Sequence, residues 1–312
     1  MSQLQSISLV LPGSVAERDV VEFELVFSEL LDSAAVSFYR QGCGDWGIEA
    51  LFHEQPDMSA VTALLNPLFE NHSMAPLPLV HHSLADRDWL AENITAFPPR
   101  HIGRFWVYGS HIKMLPPAGS LPLLVDASLA FGSGTHPTTE GCLRAIQMLA
   151  GVRPRRVLDM GCGSAILAIA AQRIWLASSI VAADNDPVAI RVTAKNRQLN
   201  DIAPARMRLA VSHGFGSRYV RQSAPYDVLL ANILARPLAR MAPALCRHLA
   251  PCGWLVLSGI LNQQAVLVRN AYRAQNMRCW QQIRIGEWTT LVMRPTGVGS
   301  MPYLWRGRCQ SS

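Results

Sequence analysis

From about Leu123 the chain alternates apolar segments with helical ones. In order these are "RRVLDM", a helix over 164–173, "SSIVAAD", a helix over 187–199, "ARMRLAV", "YDVLLAN", a helix over 237–249, "GWLVLSGI", a helix over 262–275, then "MRCWQQIRI" and "EWTTLVMR". Near-continuous apolar strands separated by helices are buried on both faces, which restricts the fold to a mostly parallel α/β sheet covered on either side. Seven strands are expected in a domain spanning 123–295.

The first eighty residues follow a different rule. "SISLVLP", a helical stretch from Ser14 to about Leu31, "AAVSFYR", "WGIEALFH", a helix from about Asp57 to Phe69 and "PLPLVHH" give the order β-α-β-β-α-β. That order fits a small ferredoxin-like α+β domain over 1–84, with two helices on one face of its sheet. Pro76 and Pro78 at the last strand of that domain begin a series continued by prolines at 98, 99, 116 and 117, and 85–122 is expected to be a linker, with "DRDWLAENI" as a short helix inside it. The last residues, 296–312, have no periodicity and are expected to be a mobile tail.

Charge separates the same two parts. Residues 1–100 hold 4 Arg and no Lys against 14 Asp and Glu, a balance of −10, while 101–312 hold 24 cations against 8 carboxylates, +16, and the two sum to the net +6. An acidic domain suits a basic partner, and the basic domain suits RNA or an acidic neighbour. The seven cysteines are scattered, without a C-x-x-C pair or histidines at ligand spacing, so neither a disulfide framework nor a metal site is expected. The first cation is Arg18 and no apolar run approaches the roughly 18 residues of a membrane span, so the expectation is a soluble, cytoplasmic protein with no membrane partner.

Ligands of open α/β sheets sit beyond the carboxyl ends of the strands, so the residues that close each strand carry the chemistry. Asp159 with Gly161 and Gly163 closes the first strand, Asp184 the second and Asn232 the fourth. "GCGSAI" is an incomplete dinucleotide turn, because Ile166 stands where a third small residue is wanted. Asp159 would repel a pyrophosphate and welcome a cation, which suits S-adenosylmethionine, a cofactor with an ammonium, a sulfonium and no phosphate. Asp184 is placed to accept from ribose hydroxyls, although ordinary capping would suit both carboxylates as well. Upstream, "LAFGSGTHPTTEGCLRAI" is a glycine loop in which Thr138 or Thr139 caps a helix, and it could close over a cofactor. Asn232 offers a side-chain oxygen that can receive an amine N–H and aim its lone pair at a methyl group. Ile233, Leu234 and Ala235 supply no ring to stack a planar target, which favours an aliphatic amine.

Together "AFGSGTHPTT", "VLDMGCGSAILAIAA", "ADNDPVAI", "ANIL" and "EWTTLVMRP" resemble, in order and spacing, the PrmA-type methyltransferases of large-subunit ribosomal protein eleven. The resemblance covers about residues 5–295 and is weakest before Trp89. It implies a Rossmann-like class I methyltransferase domain behind a substrate-recognition domain, acting as a monomer. It also implies transfer of methyl groups from S-adenosylmethionine to lysine side chains and the terminal amine of that ribosomal protein, with ribosomal RNA or the assembling ribosome as a further partner. Family cofactor positions fall on Thr139, Gly161, Asp184 and Asn232, with Phe131 and Gly163 nearby. A related enzyme acting on another protein or RNA, or a degenerate binding module, stays open at this point. Two departures from the pattern stand out: Ser133 replaces a threonine and Ala165 a glycine. Ala165 costs nothing with helical angles but about 1 kcal/mol or more if its φ is positive.

Overall fold

The computed structural model describes residues 4–31, 33, 35–40, 44–52, 54–84, 98–126 and 136–297. The chain divides into two compact units, Met1–Asn93 and Ile94–Ser312.

In the first unit, strands β1 (Leu4–Leu11), β2 (Ala35–Arg40), β3 (Trp46–Phe52) and β4 (Leu79–Leu84) form a sheet in the order β2-β3-β1-β4, every neighbouring pair antiparallel. Helices α1 (Glu17–Leu25) and α2 (Met58–Asn71) complete the expected ferredoxin-like order. Period-two alternation in β1 buries Ile7, Leu9 and Leu11, which pack with Val20, Phe23 and Phe27 from the first helical stretch and Val61, Leu65 and Phe69 from α2. The Phe23 and Phe69 rings, 5.3 Å apart, join the two helices. Asp57 caps α2 by accepting from Ser59 N at 2.9 Å. The first helix is shorter than expected, because its last residues, Val26–Leu30, widen into a π-type turn.

The second unit holds a seven-stranded sheet: β8 (Arg156–Met160), β9 (Ser179–Asp184), β10 (Met207–Val211), β11 (Tyr226–Asn232), β12 (Leu249–Leu261), β13 (Met277–Ile285) and β14 (Trp288–Pro295). Its order is β10-β9-β8-β11-β12-β14-β13, parallel from β10 to β12 and antiparallel at β14 and β13. One face packs on α3 (Pro137–Met148), α4 (Ile166–Ile174) and α5 (Pro187–Leu199). The other packs on the short α6 (Arg218–Gln222), α7 (Ala235–Arg240) and α8 (Ala242–Arg247), and on α9 (Ala265–Arg273). The single helix expected over 237–249 is two pieces, since Pro243 has no N–H for the carbonyl one turn earlier.

The expected linker holds structure. Strands β5 (Arg100–Ile102) and β6 (Phe105–Tyr108) form a hairpin that continues in parallel into β7 (Leu121–Leu124). Ile102, Phe105, Val107 and Leu123 are buried in the core of the second unit. The prolines hid a readable turn: Gly103 takes φ +58° between "RHI" and "FWVY", and Gln147 of α3 fastens it by accepting from Arg104 N at 2.7 Å and donating to Ile102 O at 3.0 Å. "DRDWLAENI", Phe131 with the rest of the glycine loop, and the tail beyond 297 lie outside the described residues. Cys142, Cys162, Cys246 and Cys279 are free thiols, whereas Cys252 is disulfide-bonded, which its scattered spacing did not foretell. Among the described residues no helix is long and apolar enough to cross a membrane, and no group of three or more His, Cys, Asp or Glu side chains could hold a metal.

Candidate active site

Strand order reverses between β8 and β11, which opens a crevice beyond their carboxyl ends. Register sets what stands there. Met160 pairs with Ala183 on one side and Ala231 on the other, so the next residue of each strand, Gly161, Asp184 and Asn232, stands at one level. The sequence-predicted residues Asp159, Gly161, Gly163, Asp184 and Asn232 are thereby brought together.

The turn after β8 is tight and well braced. Gly161 and Gly163 have φ +72° and +52°, and the amides of Gly161 and Cys162 donate to Ala183 O at 2.8 and 3.1 Å. Asp184 Oδ2 accepts from Gly163 N at 2.9 Å while its Oδ1 accepts from Asp186 N at 3.1 Å. Each carboxylate oxygen keeps a further lone pair for a ligand hydroxyl. From the helix side, Thr193 Oγ1 donates to Gly163 O at 2.8 Å. Asn196 Nδ2 donates to Ser164 O at 2.9 Å and its Oδ1 accepts from Asp126 N at 3.0 Å. Thr193 and Asn196 escaped the sequence reading; the available signal was a pair of polar residues on the buried face of a helix.

Asp159 is buried behind the turn rather than beside an open surface. Its Oδ2 accepts from Ala168 N, 2.9 Å away in the first turn of α4, so one oxygen performs the helix-capping duty left open above. Burial, reinforced by the negative charge of Asp184, raises its pKa from 3.8 to about 7. A cation or donor beside the other oxygen would return it to the ionised form.

The cap of α3 differs from the expectation. His136, not a threonine, occupies it: His136 Nδ1 accepts from Thr138 N at 3.3 Å and lies 2.7 Å from Thr138 Oγ1, with Pro137 opening the helix. The imidazole packs edge-on to Trp288, centroids 4.7 Å apart, and burial lowers its pKa to about 4. His136 is therefore neutral at physiological pH and held as a structural group. Thr139 is fully buried one residue further along.

Gly259 is the other residue that sequence reasoning missed. Asn232 pairs with Ser258, which puts Ile233 beside Gly259. Gly259 sits at φ +80° in an irregularity of β12, and a Cβ there would overlap the Ile233 carbonyl oxygen and lie 2.7 Å from its carbon. A Cβ on Gly161 would overlap Ile233 Cγ2. Two glycines thus close on the residue that follows Asn232.

The arrangement fits S-adenosylmethionine. Thr139 Oγ1, Asp159 Oδ1 and Asn232 Oδ1 are buried with no hydrogen-bond partner among the described residues. Oxygens of that kind call for donors, which an ammonium, ribose hydroxyls and a substrate amine provide.

Fold and site together define a class I S-adenosylmethionine-dependent methyltransferase. The family model described as ribosomal protein L11 methyltransferase (PrmA) matches residues 16–296, and the chain belongs to that family. It is 35% identical to the ribosomal protein L11 methyltransferase of Bradyrhizobium diazoefficiens over 294 residues, 93% of this chain and 97% of that one. The relative from Chelativorans sp. is 42% identical over 212 residues, 68% of this chain and 72% of its own length. The crystal structure of the ribosomal protein L11 methylase from Lactobacillus delbrueckii subsp. bulgaricus superposes with a TM-score of 0.58 at 25% identity, covering 64% of this chain and 99% of that one. Family membership makes the chain an S-adenosylmethionine-dependent methyltransferase of ribosomal protein L11.

Proposed function

We propose that this chain N-methylates lysine side chains and the terminal amine of ribosomal protein L11, with Asn232 orienting the attacking nitrogen. The observation that carries the reading is the buried, unpartnered Asn232 Oδ1 at the carboxyl end of β11, level with Gly161 and Asp184. S-adenosylmethionine supplies an electrophilic methyl group on a sulfonium. Asp184 accepts from ribose hydroxyls, Gly161 and Gly163 let the ligand approach the backbone, and Thr139 and Asp159 take donors from the amino-acid end. In this reading Phe131 belongs to the same site, on the resemblance of "AFGSGTHPTT" to the family's motif.

A lysine amine has a pKa of about 10.4 and arrives protonated, so the site must favour its neutral form by desolvation. Asn232 Oδ1 then accepts one remaining N–H and turns the nitrogen lone pair toward the methyl group. His136 and Asp159 are both committed to helix N-termini, so the proton leaves to water and positioning supplies most of the rate. The acidic first domain, within the −10 balance of residues 1–100, draws the basic substrate by complementary charge. The enzyme acts as a cytoplasmic monomer on L11, free or beside ribosomal RNA in an assembling ribosome.

Asn232→Ala tests this reading in single turnovers at saturating cofactor. Methyl transfer should fall roughly ten- to a thousandfold while cofactor affinity changes much less. Transfer at the parent rate would leave Asn232 as a strand-end cap.

A further inference from the structure

At the opposite end of the same strands the helical cover is thin. The connection between β10 and β11 contains only the five-residue α6, whereas α4 and α5 on the other face have nine and thirteen residues. Beside that short helix lies a cavity of about 300 Å³ lined by Arg156, Ser179, Arg208, Tyr219, Gln222 and Ser223, floored by Val181 and Tyr226. Among the described residues no carboxylate lines it. The two guanidinium groups are held in place without being neutralised. Arg156 donates to Ala224 O at 3.1 Å, and Arg208 lies over the Tyr219 ring, 5.3 Å from its centroid. Neither makes an ion pair among the described residues. The nearest acid in the strand register, Asp227, spends Oδ2 on the amides of Arg155 and Arg156 at 2.7 and 3.0 Å.

More exposed cations flank the cavity. Arg155 and Arg206 stand at the amino ends of β8 and β10, and Arg218 and Arg221 lie on α6 itself. Arg206 and Arg221 are likewise tied to backbone carbonyls, to Ala177 O at 3.2 Å and to Phe215 O and Gly216 O at 2.8 and 2.7 Å. Guanidinium groups oriented by carbonyls present fixed N–H forks, which match phosphate oxygens better than a mobile ammonium does.

We propose that this cavity seats a backbone phosphate of single-stranded RNA, with the surrounding arginines following the strand on either side. The site is distinct from the methyl-transfer centre, because Arg156 begins β8 and the glycine turn follows its end. It can be filled while cofactor and amine are bound. A polyanion fits the excess of 24 cations over 8 carboxylates in residues 101–312. A phosphodiester strand fits better than an acidic peptide, since its phosphates recur along one backbone to meet successive guanidinium forks while its bases can stack on an aromatic ring such as Tyr219, which a carboxylate side chain cannot do.

The test is fluorescence anisotropy of the full-length protein with a labelled RNA of about 12 nucleotides, a length within ordinary single-strand site sizes, over a salt series. Arg156→Ala with Arg208→Ala should weaken binding at least tenfold and flatten the slope of log affinity against log salt by about 0.7 for each phosphate no longer neutralised. Arg208→Ala alone breaks no backbone hydrogen bond and should give a several-fold loss, so the result does not depend on the fold tolerating the loss of Arg156. Arg191→Ala removes an exposed arginine from α5 on the other face of the sheet and should change affinity less than twofold. An equal loss in Arg191→Ala, or no loss in Arg208→Ala, would overturn the proposal in favour of diffuse surface charge. Competition by polyglutamate as effective as unlabelled RNA would overturn it in favour of an acidic peptide. Methylation of free L11 by Arg208→Ala should equal that of the parent, which separates this site from the one proposed for methyl transfer.

Discussion

Replacing Gly259 by alanine should damage catalysis without touching any group that meets a ligand. A non-glycine residue in the left-handed region costs about 1–2 kcal/mol, and Gly259 stands at φ +80°. The new Cβ would also meet the peptide of Ile233, whose oxygen it overlaps and whose carbon lies 2.7 Å away. Backbone cannot rotate aside as a side-chain tip can, so β12 or the Asn232–Ile233 turn must move, at an overpacking cost of about 1–3 kcal/mol. The two contributions sum to about 2–5 kcal/mol. For a domain of this size that is a fall in Tm of about 4–20 °C. Because Ile233 follows Asn232, displacement of about 1 Å should lower kcat for L11 on the order of a hundredfold. Gly286→Ala is the control: φ is +56° there, but nothing lies within 4 Å of the added carbon. Both variants gain the same small entropic stabilisation from a stiffer unfolded chain, so the difference between them isolates the clash with Ile233. Thermal unfolding and single-turnover methylation of both proteins decide it. Equal Tm shifts with unchanged kcat in Gly259→Ala would refute the claim that this glycine sets the position of Asn232.

Asp159 gives a pH prediction of definite sign. Its pKa is 3.8 when unperturbed and about 7 in the fold, so between those values the folded state holds a proton that the unfolded state lacks. The stabilising contribution is complete below the unfolded pKa and is lost as pH rises through about 7. Asp159→Asn removes it, and the stability of parent minus variant, measured without cofactor by urea titration, should decline from about pH 4 to 7 and then level; a flat difference would contradict the assignment. Truncation offers the remaining test: a fragment of 98–297 should fold and bind S-adenosylmethionine by calorimetry yet barely methylate L11. A fragment beginning at 110 loses the buried Ile102, Phe105 and Val107 and should not fold; cooperative melting of the shorter fragment would show that β5 and β6 are dispensable.

The legible parts of this fold were those in which hydrophobic period and strand-end chemistry agree. Alternation in β1 and the apolar runs of β8, β9 and β11 name their elements from local sequence alone, because burial on one face or both writes itself into the pattern. Asp159, Asp184 and Asn232 were readable as strand-closing polar residues, and register alone brings Gly161, Asp184 and Asn232 level. β5 and β6 were hidden for the opposite reason. They are three and four residues long, too short for a period to show among prolines, and only Gly103 marks their turn. His136 as the cap of α3 was hidden because threonine is the commoner capping residue and the imidazole cap depends on burial against Trp288. Gly259 was invisible in principle: its demand comes from Ile233, a neighbour only once β11 and β12 have paired.

Ala165 shows how a local departure can leave a site intact. It adopts φ +65°, ψ +21°, so the strain anticipated from sequence, about 1 kcal/mol or more, is present. Its methyl group is fully buried in the core formed with Cys142, Ile166 and Ile169, and burying one such carbon contributes about 0.8 kcal/mol, which offsets much of that strain. Its backbone still does what the turn needs: Ala165 N donates to Cys162 O at 2.7 Å and Ala165 O accepts from Ile169 N at 2.9 Å. The carbon added where the family pattern has glycine therefore faces the interior, while the surface proposed to meet the ligand is made by Gly161, Gly163, Asp184 and Asn232. A degenerate binding module was favoured only by this alanine, and a methyl group turned into the core gives that alternative nothing to rest on.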